Sequence, residues 1–264
     1  MHFLISPAKT LDYVSTHITP ATTRPRFLDD SAELIAVLQP KTVDEIAELM
    51  SLSQPLAELN VARYGAWSRR FTERNSKAAV MAFNGDVYEG LNAPTLSAED
   101  LDWAQAHVSI LSGLYGLLRP LDRMQPYRLE MGTPLGTARG KNLYEFWGDT
   151  LTHQLNRQLG SKKPIVVNLA SQEYFHAVRP KQLKARVIEC VFEDWKGGAY
   201  KVISFFAKRA RGLMLRHAIT QRLEAPEGLT KFSAEGYRFD GAVSEPDRLV
   251  FRRRVEHDPA ESNA

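Results

Sequence analysis

Two β-rich runs, ARVIECVFEDW (185–195) and AYKVISFF (199–206), are joined by Lys196, Gly197 and Gly198. Glycines supply the positive φ that a tight hairpin needs, so the two runs have to pair antiparallel. The other β-rich stretches are separated by helices. LISPA opens with a short strand, Phe3 to Ser6, which Pro7 ends. KAAVMAF (77–83) reads as a buried strand broken by Asn84 and Gly85, and PIVVNLA (164–170) as another, followed by a helix capped at Ser171. YRFD and RLVFRRRV add late strand material. An obligatory hairpin among interleaved strands and helices excludes a strict βαβ rhythm. The expectation is one α/β (mixed α+β) domain over residues 1–255, a mixed sheet with an antiparallel hairpin, covered by helices. The polar EHDPAESNA (256–264) has little to bury and reads as a flexible tail.

The helices carry recognisable starts and stops. In TVDEIAELM, Thr42 and Glu45 have capping-box spacing. A second helix begins near Ser53 and would place Leu56, Leu59 and Ala62 on one face. SAEDLDWAQAHVSIL starts at Ser97, with Asp100 at its third position, and its spacing of Leu101, Ala104, Val108 and Leu111 carries the helix to Gly113. NLYEFWGDTLTHQLNRQLG reads as one helix, with Phe146, Trp147, Leu151 and Leu155 inward and Gly160 as its stop.

The net charge of +3 hides a segregation. Residues 161–222 hold 13 Lys/Arg against 4 Asp/Glu, a net of +9, while 1–160 (15 against 18) and 223–264 (6 against 9) are each at −3. Such a basic block can focus a field on anionic partners. The single cysteine, Cys190, forms no internal disulfide, and the short apolar run Phe3 to Ile5 is neither a signal peptide nor a span. A cytoplasmic protein without a membrane partner is expected. No phosphate-loop, GxGxxG, CxxC or HExxH pattern occurs, so no metal or cofactor is expected.

Three groups of residues can carry function. The helix from Phe206 sets Ala210, Leu213, Met214 and Ala218 on one side and Lys208, Arg209, Arg211, Arg216 and Arg222 on the remaining arc, where each cation can neutralise a phosphate. Arg179, Lys181, Lys184 and Arg252 to Arg254 add to that charge. The stretch ILSGLYGLLRP (110–120) places Gly113, Tyr115, Gly116 and Arg119 after a helix, the pattern either of a helix stop or of a helix–hairpin–helix whose backbone N–H groups grip a phosphate. Finally, Lys9, Asp86, Arg128, Glu130 and Glu173 follow strands, with Tyr88, Ser171 and Tyr174 beside them. These suit either turns and ion pairs or an acid–base pocket. No nucleophile–base pair can be assigned, which weighs against catalysis.

The stretches LISPAKTLDY, FNGDVYEGL, ILSGLYGLLRPLDRMQPYRLEMG, LYEFWGD, VNLASQEYF, ISFFAKRARGLM and EGYRFD closely resemble the bacterial YaaA family of peroxide-stress resistance proteins, from residue 1 to about 254. The resemblance implies protection from hydrogen peroxide by limiting the unincorporated iron that drives oxidative DNA damage. It further implies a family-specific α/β fold with a basic cleft and a helix–hairpin–helix, binding DNA without sequence specificity, and no established enzymatic activity. DNA, duplex or branched, is then the expected partner, with no stable protein partner. The alternative is an enzyme acting on a nucleotide or damaged nucleic acid, its pocket built from Lys9, Asp86, Arg128, Glu130 and Glu173.

Overall fold

Four consecutive buried residues, His2–Ile5, form the strand around which the sheet is built. The computed structural model describes residues 1–17, 19–160 and 163–254, so the 256–264 tail lies outside it. In chain order the elements are β1 (His2–Ile5), β2 (Thr10–Leu11), α1 (Leu28–Leu38), α2 (Val43–Met50), α3 (Gln54–Ala66), β3 (Lys77–Ala78), α4 (Ala79–Ala82), β4 (Phe83–Asn84), α5 (Asp86–Leu91) and α6 (Ala98–His107). There follow β5 (Val108–Ser112), β6 (Gly116–Leu118), β7 (Arg123–Met124), α7 (Leu143–Trp147), α8 (Thr150–Leu159), β8 (Ile165–Leu169) and α9 (Gln172–His176). The last quarter adds β9 (Arg186–Lys196), β10 (Ala199–Lys201), α10 (Ser204–Thr220), β11 (Ser233–Ala234), β12 (Tyr237–Phe239) and β13 (Arg248–Arg253).

The main sheet has the order β11-β12-β13-β9-β8-β1-β5-β6, with β10 paired to the end of β9. Its five central strands, β13, β9, β8, β1 and β5, are all parallel. Antiparallel pairs finish both edges. The sheet is therefore mixed and the hairpin is present, as its glycines require, but its second strand stops at Lys201, and Ser204–Phe206 of the expected run begin α10. Parallel strands have to be covered on both faces, which is why Phe3–Ile5 of β1 and most of β8 are buried apolar runs and not alternating ones. No helix among the described residues is long and apolar enough to cross a membrane.

Both capping boxes form, Thr42 with Glu45 and Ser97 with Asp100. Several finer expectations are corrected. The helix from Ser97 ends at His107, and Val108–Ser112 is a strand whose β-branched residues pair with β1. Residues 77–83 are not one strand: Ala79–Ala82 make a single helical turn between two short strands, an ambiguity that short apolar runs always carry. Residues 143–159 form two helices, broken where Gly148 takes φ +49. In α3, Leu56 and Leu59 face solvent; the inward series is Ala57, Asn60 and Tyr64, because the large Tyr64 ring decides which face is buried.

The tightest helix contact joins α5 to α10. A Cβ on Gly212 would lie 1.9 Å from the Val87 carbonyl oxygen, and one on Gly90 would lie 2.2 Å from that of Arg209. Neither neighbour can move, since each carbonyl belongs to a packed helix. Gly212→Ala should lower unfolding free energy by about 3 kcal/mol, the upper range for overpacking, as read from urea denaturation.

His2, buried and hydrogen-bonded through Nε2 to Ser109 Oγ at 2.9 Å, is pushed down to about 3 by burial and by neighbouring His107. Below about pH 6.5 the unfolded chain binds a proton that the folded chain refuses, so this contribution to stability is full above 6.5 and is lost as pH falls. By pH 4 the loss should reach roughly 3 kcal/mol, and His2→Gln should flatten that part of the stability–pH curve.

Candidate functional site

Where parallel strands end, backbone direction changes and side chains of several loops meet. β1 runs into Ser6, Pro7, Ala8 and Lys9, and its neighbour β8 runs into Ser171 and Glu173. The Oγ of Ser6 accepts the Ser171 N–H at 2.9 Å and donates to Ser171 Oγ at 3.3 Å, tying the two strand ends together. Into the same space come Asp86 and Tyr88 from α5, the segment Tyr127–Glu130, and Lys208 and Arg211 from α10. Together they enclose a cavity of about 460 Å³.

Its electrostatics are two-signed. Four cations, Lys9, Arg128, Lys208 and Arg211, meet three carboxylates, Asp86, Glu130 and Glu173. Glu130 Oε1 sits 2.9 Å from Lys9 Nζ and 3.1 Å from Arg128 Nη2. Glu173 Oε1 accepts the Gly132 N–H at 2.9 Å. Arg211 is largely enclosed; burial holds its guanidinium below the usual value, with Glu189 and Cys190 opposing that shift. The Cys190 thiol is pushed up to about 12 by burial and so is inert.

Tyrosines make the wall. Tyr88, Tyr127 and Tyr174 are buried, and burial raises each phenol well above its ordinary value, so all three remain neutral hydrogen-bonding groups. Tyr88 donates to the Ser6 carbonyl at 3.1 Å, and Tyr127 shares a 2.6 Å bond with Ser112 Oγ. Among the described residues, no group of three or more His, Cys, Asp or Glu is placed to hold a metal ion.

All five strand-end residues singled out as a pocket, Lys9, Asp86, Arg128, Glu130 and Glu173, thus line one cavity. Of the five helix cations, Lys208 and Arg211 join them. Arg209 is bound to Glu235 at 2.6 Å with Glu89 beyond, and Arg216 donates to the carbonyls of Leu91 and Asn92 at the end of α5. Arg222 pairs with Asp100, Arg179 with Asp149, Arg252 with Glu193 and Asp240, and Arg253 with Asp194. Much of the basic block is therefore neutralised locally. Tyr127 and Ser6 were not singled out for the pocket, although Tyr127 adjoins Arg128 and Ser6 lies three residues before Lys9.

The stretch 110–118 is neither a helix stop nor a helix–hairpin–helix. It is the β5–β6 hairpin, and Gly113, Leu114, Tyr115 and Gly116 are all buried. The Tyr115 hydroxyl accepts from Trp67 Nε1 and the Gln125 N–H, and Trp147 Nε1 donates to the Gly113 carbonyl at 3.0 Å. Gly116 takes φ +67, and a Cβ there would meet Leu151 and Trp147 at 2.9 Å. A phosphate has no access to these N–H groups. The apolar neighbours that suggested a helix are those of a buried strand pair. Arg119 binds Asp122, which is fully buried, at 2.8 Å and lies outside the cavity.

The family model described as "Peroxide stress protein YaaA" matches residues 1–243. A UPF0246 protein of Bordetella petrii is 64% identical over 256 residues, 97% of this chain and 100% of its own length. One of Bordetella pertussis is 65% identical over 255 residues (96% and 99%), and one of Paracidovorax citrulli is 61% identical over 257 (96% and 99%).

Removing Arg119 would leave Asp122 a buried carboxylate without its cation. Arg119→Ala should cost about 3 kcal/mol in urea denaturation, as breaking a buried pair does. A loss within 0.5 kcal/mol would mark it instead as a dispensable surface cation.

Proposed function

The chain belongs to the peroxide stress protein YaaA family, and from that premise we propose that it serves the peroxide response at DNA, taking a single nucleotide unit into the cavity at the strand ends. The observation that carries this reading is the meeting of both charge signs in one cavity, from segments spread over residues 6 to 211. A surface that only grips the phosphodiester backbone needs cations alone. Carboxylates beside them match a ligand that also presents N–H donors, as the edge of a nucleobase does. Lys208 and Arg211 suit the phosphate; Asp86, Glu130 and Glu173 suit the base edge; the tyrosines supply an apolar wall. The volume suits a nucleotide and is far too small for a duplex. Entry of a unit from DNA therefore requires it to leave the stack, which is easiest where a base is damaged or unpaired.

A second reading, catalysis on the bound unit, is favoured by one specific arrangement. Glu130 accepts from Lys9 and Arg128 within 3.1 Å, so an amine and a carboxylate stand ready to exchange a proton with a ligand.

Titration calorimetry with deoxynucleoside monophosphates tests the binding claim. Lys208→Ala should weaken binding of the monophosphate about tenfold and of the matching nucleoside little, because it removes one charge-assisted contact to phosphate. Glu173→Gln should weaken both. If neither nucleotide nor nucleoside binds, or both variants bind like the parent chain, the pocket reading is wrong.

A further inference from the structure

Large apolar side chains exposed on this protein are not evenly spread. Among the described residues eight are exposed, and four of them, Trp195, Val202, Phe205 and Phe206, fall between residues 195 and 206. This segment comprises the turn of the β9–β10 hairpin and the first turn of α10. Phe205 is 55% exposed, more than any other aromatic named there. Lysines are interleaved with them: Lys196, Lys201 and Lys208 are all exposed, and none of them forms an ion pair among the described residues. They stand in contrast to the arginines nearby, whose charges are mostly spent on internal pairs.

The rings are held in place. Arg254 lies over Trp195 at 4.7 Å, Arg252 over Tyr200 at 4.3 Å and Arg253 over Phe206 at 4.6 Å. Arg252 and Arg253 are themselves anchored to Glu193 and Asp194. A cation thus sits over one face of Trp195, Tyr200 and Phe206, and Phe205 packs edge-on against Phe206 at 5.4 Å, while Trp195 and Phe206 stay more than a third exposed. Rings held this way lose little entropy when something stacks on them.

Position links this segment to the cavity. β9 runs parallel to β8 and, through it, to β1, so the hairpin emerges from the end of the sheet at which the cavity opens. β13 pairs with β9 as far as Asp194, and Lys201 of β10 pairs with the same residue from the other side, where β8 has already ended. On α10, Phe205 precedes Lys208 by three residues. That separation is one turn, about 5 Å along the axis and on the same side. Lys208 lines the cavity.

We propose that this rim is a stacking track for unpaired bases, along which a single DNA strand reaches the cavity. The proposal rests on the nucleotide-pocket reading and names its substrate form. Charge favours this occupant. Exposed aromatic rings between cations are what a single strand recognises, its bases on the rings and its phosphates on the lysines. A twofold contact between copies of the chain would instead bring lysines against lysines.

The test uses the full chain, a 12-residue oligo(dT), a blunt duplex of equal length and dTMP. Oligo(dT) should quench Trp195 fluorescence and bind more tightly than the duplex. Trp195→Ala and Phe205→Ala should each weaken oligo(dT) binding about tenfold, the loss of one stacked base, with dTMP affinity unchanged. Phe205→Leu, which keeps the apolar bulk but not the ring, should behave like Phe205→Ala. Thermal melts would verify that these exposed substitutions leave the fold intact. Unchanged oligo(dT) affinity in both variants, a preference for duplex, or a shift from dimer to monomer on substitution would each overturn the track. If dTMP fails to bind while oligo(dT) binding still depends on the two rings, the track stands and the pocket reading alone is lost.

Discussion

The close approach of α5 and α10 fixes where everything else at the site can be. With no Cβ at Gly90 or Gly212, two helices touch backbone to backbone, and the side chains of Asp86 and Tyr88 are brought within one cavity of Lys208 and Arg211. Arg216 reinforces the contact by donating to the last carbonyls of α5, where the helix dipole is negative. A cation counted from sequence as a phosphate ligand therefore serves as a helix clamp. The depth and polarity of the cavity follow from that contact as much as from the sheet beneath.

Net charge proved a poor guide to where cations act. The block from 161 to 222 carries +9, yet Arg179, Arg209 and Arg222 are each drawn to a carboxylate from a distant part of the chain. Such pairs add little net stability when exposed, but they remove the field a polyanion would feel. What gathers near the cavity is local and mixed: Lys208 and Arg211 among its carboxylates, and Lys196 and Lys201 among aromatic rings on the rim. This pattern suits a ligand with a charged backbone and a hydrogen-bonding, stackable base better than it suits a uniform rod of negative charge.

Sequence patterns made the caps, the hairpin turn and the family likeness legible, because each depends on residues adjacent in the chain. The mixed sheet followed from one pair of glycines. Chain-local reasoning failed where long-range packing decides. Val108 to Leu111 satisfies helical spacing, but pairing with β1 makes it a strand, and the glycines after it turn a buried hairpin. The pocket residues were legible as types at strand ends; that five of them share one space was not, since the parallel pairing of β1 with β8 brings only Lys9 and Glu173 together, and Asp86, Arg128 and Glu130 arrive from α5 and the segment after β7.

The cavity draws its walls from residues 6–10, 84–88, 127–130, 171–174 and 208–211. While the chain is being made on a ribosome, everything up to β8 is synthesised before a complete cavity can exist. Only when α10 has left the exit tunnel and settled on α5 is the cavity closed. The cavity is completed once, late, and as a whole.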